Sequence, residues 1–277
     1  MIIEPHIHMY SRTTDDYVAM YRSGIRACVE PSFWMGCNRR YAGTFFDYFQ
    51  LILEFETIRA RRFGVDHYAA VALNPKETED AALAQEVLAG LPAYLDHPRC
   101  VAVGEIGFNL ITPHEQEAFE LQLALAVKRA MPVIIHLPHT NKLAGAERTA
   151  AIVRASGANP ALIEIDHNTE ETVAVTQATG CWCGMTVYPV SKLSPERVSA
   201  ILREYGTERM IVDGSADWGV SDPLSLVKVA ERMRADGHGE AAVKRIVFEN
   251  PMKFYSQSPH WQPDFTIAPL DPGEFQR

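Results

Sequence analysis

Cysteine is scarce in this chain of 277 residues, and the five that occur, Cys28, Cys37, Cys100, Cys181 and Cys183, are odd in number and widely spaced. Such a set argues against a disulfide framework and fits reduced thiols in a cytoplasm. Cys181 and Cys183 flank Trp182 in a strand-like run, where alternation puts both on one face as core thiols. Long apolar runs are missing too. None approaches the roughly 20 residues that span a bilayer, so membrane insertion is not expected. The opening Met-Ile-Ile-Glu-Pro-His lacks the basic and apolar regions of a secretory signal, which again points to a cytoplasmic protein. Basic residues are in deficit, 26 Lys+Arg against 35 Asp+Glu, and the net charge of −9 argues against a broad basic face that grips nucleic acid. A local cationic pocket is compatible with that balance. No Pro-, Gly- or Ser-rich linker and no fixed-period repeat divides the chain. No glycine-rich turn spaced for phosphates follows Gly104 and Gly107.

What the chain does have is a composition, 47% hydrophobic and 22% charged, that can bury a sizeable core. Short, β-branched, apolar segments at 2–8, 27–31, 67–73, 101–106, 133–136, 161–167, 182–188 and 210–213 read as strands buried on both faces. Helical patterns lie between them. Residues 115–129 repeat apolar positions at helical spacing and stop before Pro132, while 195–205 and 223–234 each open on a proline suited to a first helical turn. Eight strands separated by helices predict an α/β fold, a single TIM-type (β/α)8 barrel over residues 1–257, with a doubly wound open sheet as the alternative. The proline-rich C-terminal extension, 258–277, is expected to wrap the surface or to move freely. An aromatic and basic interval, 32–43 (SFWMGCNRRYAG), follows the second strand. It is expected on the active rim of the barrel, where Trp34, Arg39 and Tyr41 are candidates to touch substrate.

The chemistry-bearing residues cluster at the ends of these strands. His6 and His8 are two apart, so alternation points both to one side, which in a barrel is the interior. Neutral imidazoles so placed bind a divalent cation well, whereas a charged pair is costly to bury. Glu105 sits in Val-Gly-Glu-Ile-Gly, and an unpaired carboxylate in an apolar strand implies a cation or a strong hydrogen-bond partner. His136 closes Val-Ile-Ile-His, and His167 closes Leu-Ile-Glu-Ile-Asp-His, each just before a helical segment. The last strand runs into Asp213-Gly-Ser-Ala-Asp217-Trp218-Gly. Metal-assisted hydrolysis needs a carboxylate beside the attacking water. Asp217, where the chain turns onto the rim, is the choice for that role and Asp213 the alternative. His139 and Trp218 stand near enough to the same rim to meet a substrate.

Together these pieces resemble the TatD-like metal-dependent hydrolases of the amidohydrolase superfamily. The matching pieces are Glu4-Pro-His6-Ile-His8, Gly104-Glu105-Ile106-Gly107, Ile135-His136, Asp166-His167, the acidic end of the last strand, and Glu249-Asn250-Pro251 with Phe254. They keep that family's order over residues 4–254. The resemblance implies one or two divalent ions at the carboxyl ends of the barrel strands. It implies that His6, His8 and Asp217 hold one ion, that His136 and His167 hold the other, and that Glu105 bridges both. Glu4 would support a ligand from behind. A mixed histidine and carboxylate set suits Zn²⁺, with Mn²⁺, Fe²⁺ or Mg²⁺ as alternatives.

The departures from that family bear on substrate. Members acting on DNA commonly carry an Arg two residues after the fifth-strand His, where this chain has Pro138. Gly-Glu-Ile-Gly is followed here by Phe108-Asn109 instead of Leu-Asp, and the sixth-strand His by Asn168-Thr-Glu-Glu171. A pocket that loses an Arg and gains two acids holds phosphodiesters less well. The expected activity is therefore hydrolysis of a small-molecule amide, ester, lactone or phosphoester. A 3′-exonuclease or phosphodiesterase, with Arg39 and Arg40 supplying phosphate contacts, is the second expectation. A non-catalytic metal-binding barrel serving a biosynthetic assembly is the third. Nothing in the sequence selects an oligomeric state.

Overall fold

A computed structural model describes residues 1–270 of the chain. Its eight strands are β1 (Ile2–Glu4), β2 (Ile25–Pro31), β3 (Asp66–Val71), β4 (Cys100–Gly107), β5 (Val133–His136), β6 (Ile163–Asp166), β7 (Trp182–Thr186) and β8 (Met210–Asp213). They form one sheet, ordered as in the chain, with every paired neighbour parallel. Helices return the chain between strands, as parallel neighbours require. The sheet curls into a nearly closed barrel. Beyond the strand ends, Ser215 N–H donates to His6 O (2.8 Å) and His8 N–H to Ala216 O (2.9 Å), joining the extensions of β8 and β1. The open-sheet alternative is thereby set aside.

Two apolar layers hold the barrel. Inside it, Ile3, Ala27, Val29, Ala70, Ala102, Ile134, Trp182 and Ile211 pack into one buried cluster. Outside it, the other faces of the strands meet the helices in two larger clusters, built around residues such as Phe49, Leu123 and Ile135 on one side and Met20, Val212 and Leu226 on the other. Each fully buried Ile, Leu or Phe contributes about 1.5–3 kcal/mol, so these layers are the main source of stability. Four of the five cysteines are buried and all are free, Cys181 and Cys183 among the core residues.

Tyr255, whose hydroxyl donates to Pro5 O (2.7 Å), and Trp261, packed 4.7 Å from the Tyr68 ring, belong to the inner cluster. The extension is thus anchored on the barrel as far as it is described, and 271–277 lie outside the described residues. No helix among the described residues is long and apolar enough to cross a membrane.

Strand ends differ from the pattern-based expectation where local chemistry intervenes. β1 stops at Glu4 because Pro5 has no N–H to continue the ladder. β6 starts at Ile163 because Pro160–Leu162 forms a 3₁₀ turn capped by Asn159. The helix expected from Pro223 begins at Ser225.

Candidate metal centre

Because the strands are parallel, their carboxyl ends share one mouth, the usual place for chemistry in this architecture. There β4 carries Glu105 and β5 ends on His136, while His6, His8 and His167 lie just beyond β1 and β6. His6 Nε2 and His8 Nε2 are 3.1 Å apart. Glu105 Oε1 lies 3.6 Å from His6 Nε2 and 3.1 Å from His167 Nε2, and the His136 and His167 rings are 4.7 Å apart. All five side chains are buried.

The far side of each imidazole is fixed. Nδ1–H of His6 donates to Asp166 Oδ2 (2.8 Å), that of His8 to Pro31 O (3.2 Å), and that of His136 to Phe108 O (2.7 Å). His167 Nδ1–H donates to Thr186 Oγ1 (2.6 Å), whose own hydroxyl is 3.3 Å from Asp213 Oδ2. Burial holds His8, His136 and His167 well below the ordinary histidine range, so these rings are neutral. A neutral ring whose proton sits on Nδ1 presents Nε2 as a bare lone pair. His6 Nε2 and His8 Nε2 face each other at hydrogen-bond distance, with Glu105 Oε1 beside His6. Imidazole nitrogens and a carboxylate oxygen converging on one point are a donor set that fits a divalent metal.

Carboxylates form a second layer beneath. His6, Glu105, Asp166 and His167 offer ligand atoms within 4.8 Å of one another, and so do Glu164, Asp166 and Asp213. Burial raises Glu105. Burial is the largest single influence on Asp166 and would raise it, but the His6 contact, the charge of Lys192 and the hydrogen bond from His167 N–H together outweigh it and hold that carboxyl below its usual range. Glu164 and Asp213 are pushed well up, by burial first and then by the charge of Asp166. Gly184 on β7 makes room for this layer, since a Cβ there would sit 2.5 Å from Asp166 Oδ1 and 2.6 Å from Glu164 Oε1.

Two backbone departures aim the site. His167 adopts φ +64° and Ser215 φ +42°, the left-handed region that residues other than glycine seldom occupy. Alternation from inward-facing Glu164 and Asp166 would turn His167 outward; the left-handed φ turns it back to the mouth. Asp166 Oδ1 accepts from His167 N–H (2.5 Å) and Lys142 Nζ donates to His167 O (2.8 Å), bracing that conformation.

The structure brings together His6, His8, Glu105, His136 and His167, and puts Glu4 behind them. Glu4 Oε1 accepts from Gly214 N–H (3.0 Å) and His6 N–H (3.4 Å), and burial pushes its carboxyl up to about 8. Asp217 is not brought to His6 and His8. Its Oδ1 accepts from the Tyr188 hydroxyl (2.8 Å) and Gly219 N–H (2.6 Å), and it belongs to neither ligand cluster. From the loop after β8 it is Ser215 whose side chain approaches the His6 ring, with Oγ 3.5 Å from Nε2. Asp213 lies sealed in the layer below. Trp34, His139, Trp218 and Asp217 line the cavity over the histidines, and Arg39 does not. Arg39 instead stacks 3.6 Å above the Phe45 ring and pairs with Glu77. The two acids expected to face the pocket do not: Glu170 is exposed and bonded to Arg197, and Glu171 is exposed.

Sequence reasoning gave no role to Asp166, to Ser215, to Lys76 and Lys192 that line the cavity, or to Lys142 behind His167. Asp166 carried a signal, because Glu164 and Asp166 alternate in an apolar strand as His6 and His8 do. The lysines carried none, since Lys76 and Lys192 lie in turns and Lys142 opens the helix Lys142–Ser156, at places whose neighbours only the fold decides.

Comparison with known proteins agrees with this geometry. The model of the family described as TatD related DNase matches residues 5–256. An uncharacterised metal-dependent hydrolase of Methanocaldococcus jannaschii is 28% identical over 259 residues, 92% of this chain and 99% of the relative. The crystal structure of a TatD-like protein from Archaeoglobus fulgidus superposes with a TM-score of 0.77 at 28% identity, covering 92% of this chain and 99% of that one. A PTE-like lactonase of Deinococcus radiodurans shares the fold, with a TM-score of 0.66 at 16% identity over 92% of this chain and 95% of its own.

Proposed function

The chain belongs to the TatD related DNase family and is a metal-dependent hydrolase, and on that footing we propose that it cleaves a small molecule at an amide, ester, lactone or phosphoester bond. The observation that carries this reading is the size and walling of the mouth. The cavity over the histidines holds about 200 Å³ and is lined by Phe33, Trp34, Tyr188 and Trp218. That is below the roughly 300–1,000 Å³ of sites for drug-sized ligands. A nucleic-acid strand calls for an open basic groove, and Arg39, offered for such contacts, is occupied by Glu77.

In this reading His6 and His8 would hold one divalent ion, His136 and His167 would hold another, and Glu105 would serve as a carboxylate ligand at the same mouth. Such ions, Zn²⁺ by preference, supply Lewis acidity and a nucleophile at neutral pH. Asp166 and the carbonyls of Pro31 and Phe108 keep three of the rings in the tautomer that exposes Nε2. Glu4 holds the His6 backbone against the loop after β8. Asp217 lines the cavity with Oδ1 already fixed, which leaves Oδ2 to accept the proton of the attacking water and return it to the leaving group. Asp213 is fully buried beneath and reaches the histidines only through the Thr186 hydroxyl.

The test is a panel of esters, lactones, amides and phosphomonoesters offered to Zn²⁺- and Mn²⁺-loaded protein, beside single-stranded DNA. Asp217→Asn is expected to lower kcat by about two orders of magnitude or more with the fold intact. Loss in Asp213→Asn with Asp217→Asn active would reverse the assignment. DNA degradation faster than that of every small ester would overturn the small-molecule reading.

A further inference from the structure

Three ammonium groups converge on the mouth of a chain that is acidic overall. Lys192, in the loop after β7, places Nζ 3.3 Å from His167 Nδ1 and 3.4 Å from Ser215 Oγ. Lys76, in the turn after β3, holds Nζ 4.6 Å from the centre of the Trp34 ring. Both line the cavity that Glu105, His136, His139 and His167 open into. Lys142 stands behind, bonded to His167 O. All three are half-buried, and none has a carboxylate within ion-pair distance among the described residues. Arg39, Arg59, Arg61 and Arg99, also partly buried, each have one. Partly desolvated charges without counter-ions are costly, and mutual repulsion adds to the cost. Burial and the neighbouring Lys192 accordingly push Lys142 down to about 8.

Beside them stands an aromatic wall whose rings are tilted against one another, Phe33 and Trp218 at 41° and Trp34 and Trp218 at 70°. The Phe33 and Trp218 rings are 5.0 Å apart, Trp34 and Trp218 are 5.7 Å apart, and Trp218 is 45% exposed, so its face is open to a ligand. Two acids lie in the same cavity, Glu105 and Asp217. Glu105 is turned toward the histidines and Asp217 is held by Tyr188 and Gly219, so both attract the lysines across the cavity and neither makes a contact ion pair with one.

We infer that the substrate is an anion with a flat body, its carboxylate or phosphate held between Lys76 and Lys192 and its planar part lying on Trp218. This deepens the hydrolase reading and rests on it. Lysine is a point charge that accepts either anion without demanding a planar fork, so both oxyanions share the site chemistry.

The experiment is calorimetric titration of the full-length, zinc-loaded protein with benzoate, phenyl phosphate, inorganic phosphate and benzamide. Benzoate or phenyl phosphate is expected to bind at least about tenfold more tightly than benzamide, with the better of the two identifying the oxyanion. That preference should fall about tenfold in Lys192→Met and in Lys76→Met and persist in Lys192→Arg, with zinc content unchanged. Equal binding of benzamide, or no binding of either aromatic anion, would overturn the inference. So would an undiminished preference in the two methionine variants, since the ions alone would then hold the anion. Inorganic phosphate matching phenyl phosphate would overturn the flat body. Zinc content on the same samples separates the two accounts. Zinc retained without anion preference counts against the anion site, and anion preference without zinc counts against the hydrolase.

Discussion

Asp166 is the residue whose role reaches furthest beyond its own position. It orients His6 through Oδ2, braces the left-handed His167 backbone through Oδ1, and belongs to both carboxylate clusters. Carboxylates behind ligating histidines typically change metal affinity by about 10–100-fold, so Asp166→Asn is expected to weaken Zn²⁺ binding by that factor in a folded protein. Competition with a chromophoric chelator measures it, and unchanged affinity would contradict the role. At this scale the sequence was partly legible. His6 and His8 could be read because their spacing matches the strand period, and Glu105 because a carboxylate in an apolar strand requires a partner. The role of Asp166 could not be read, because its partner is 160 residues away and only barrel closure brings the two together.

At the scale of elements, the helix Pro113–Arg129 shows how an ordinary capping box supports the site. Thr112 Oγ1 accepts from Glu115 N–H (3.2 Å), and the Glu115 carboxylate accepts from the N–H groups of Asn109, Leu110, Ile111 and Thr112. This fixes the loop that follows β4, whose Phe108 carbonyl holds His136. Glu115→Ala leaves several amides without their acceptor and is expected to cost about 1–3 kcal/mol. Urea denaturation by circular dichroism checks this, and a loss under about 0.5 kcal/mol would show that water replaces the carboxylate. Strands were legible because parallel barrels demand apolar runs on both faces, and β5 and β8 end where their sequence patterns do. The rim loops were not legible. Arg39 sits in an aromatic, basic stretch that suggests ligand contact, yet Glu77 and Phe45, remote in sequence, claim its guanidinium.

For the molecule as a whole, composition describes the average and the fold decides the exceptions. A net charge of −9 conceals a mouth ringed by unpaired lysines, just as an apolar composition conceals ionisable groups packed in the outer layer. Among those, His67 Nε2 lies 2.8 Å from Glu30 Oε2, both fully buried. Burial pushes Glu30 from 4.5 up to about 8 and His67 from 6.5 down to about 4. The folded chain keeps the Glu30 proton that the unfolded chain releases, so this group lowers stability as pH rises from 4.5 to about 8. His67 acts in the opposite sense, its contribution being lost as pH falls from 6.5 to about 4. The two slopes cancel between 4.5 and 6.5 and leave a net fall from 6.5 to about 8. Urea denaturation across that interval should show the fall in the wild type and a shallower one in Glu30→Gln, where Glu4, also raised to about 8, still contributes, whereas an unchanged slope would contradict this account of the pair.

The claim beneath all of this is that the histidines and Glu105 at the barrel mouth hold divalent cations. Equilibrium dialysis of the purified full-length chain against Zn²⁺, followed by metal analysis, tests it most directly. The account predicts about one to two tightly held equivalents, falling severalfold in a folded His6→Ala/His167→Ala variant. Less than about a tenth of an equivalent in the wild type, or equal retention in that variant, would contradict it.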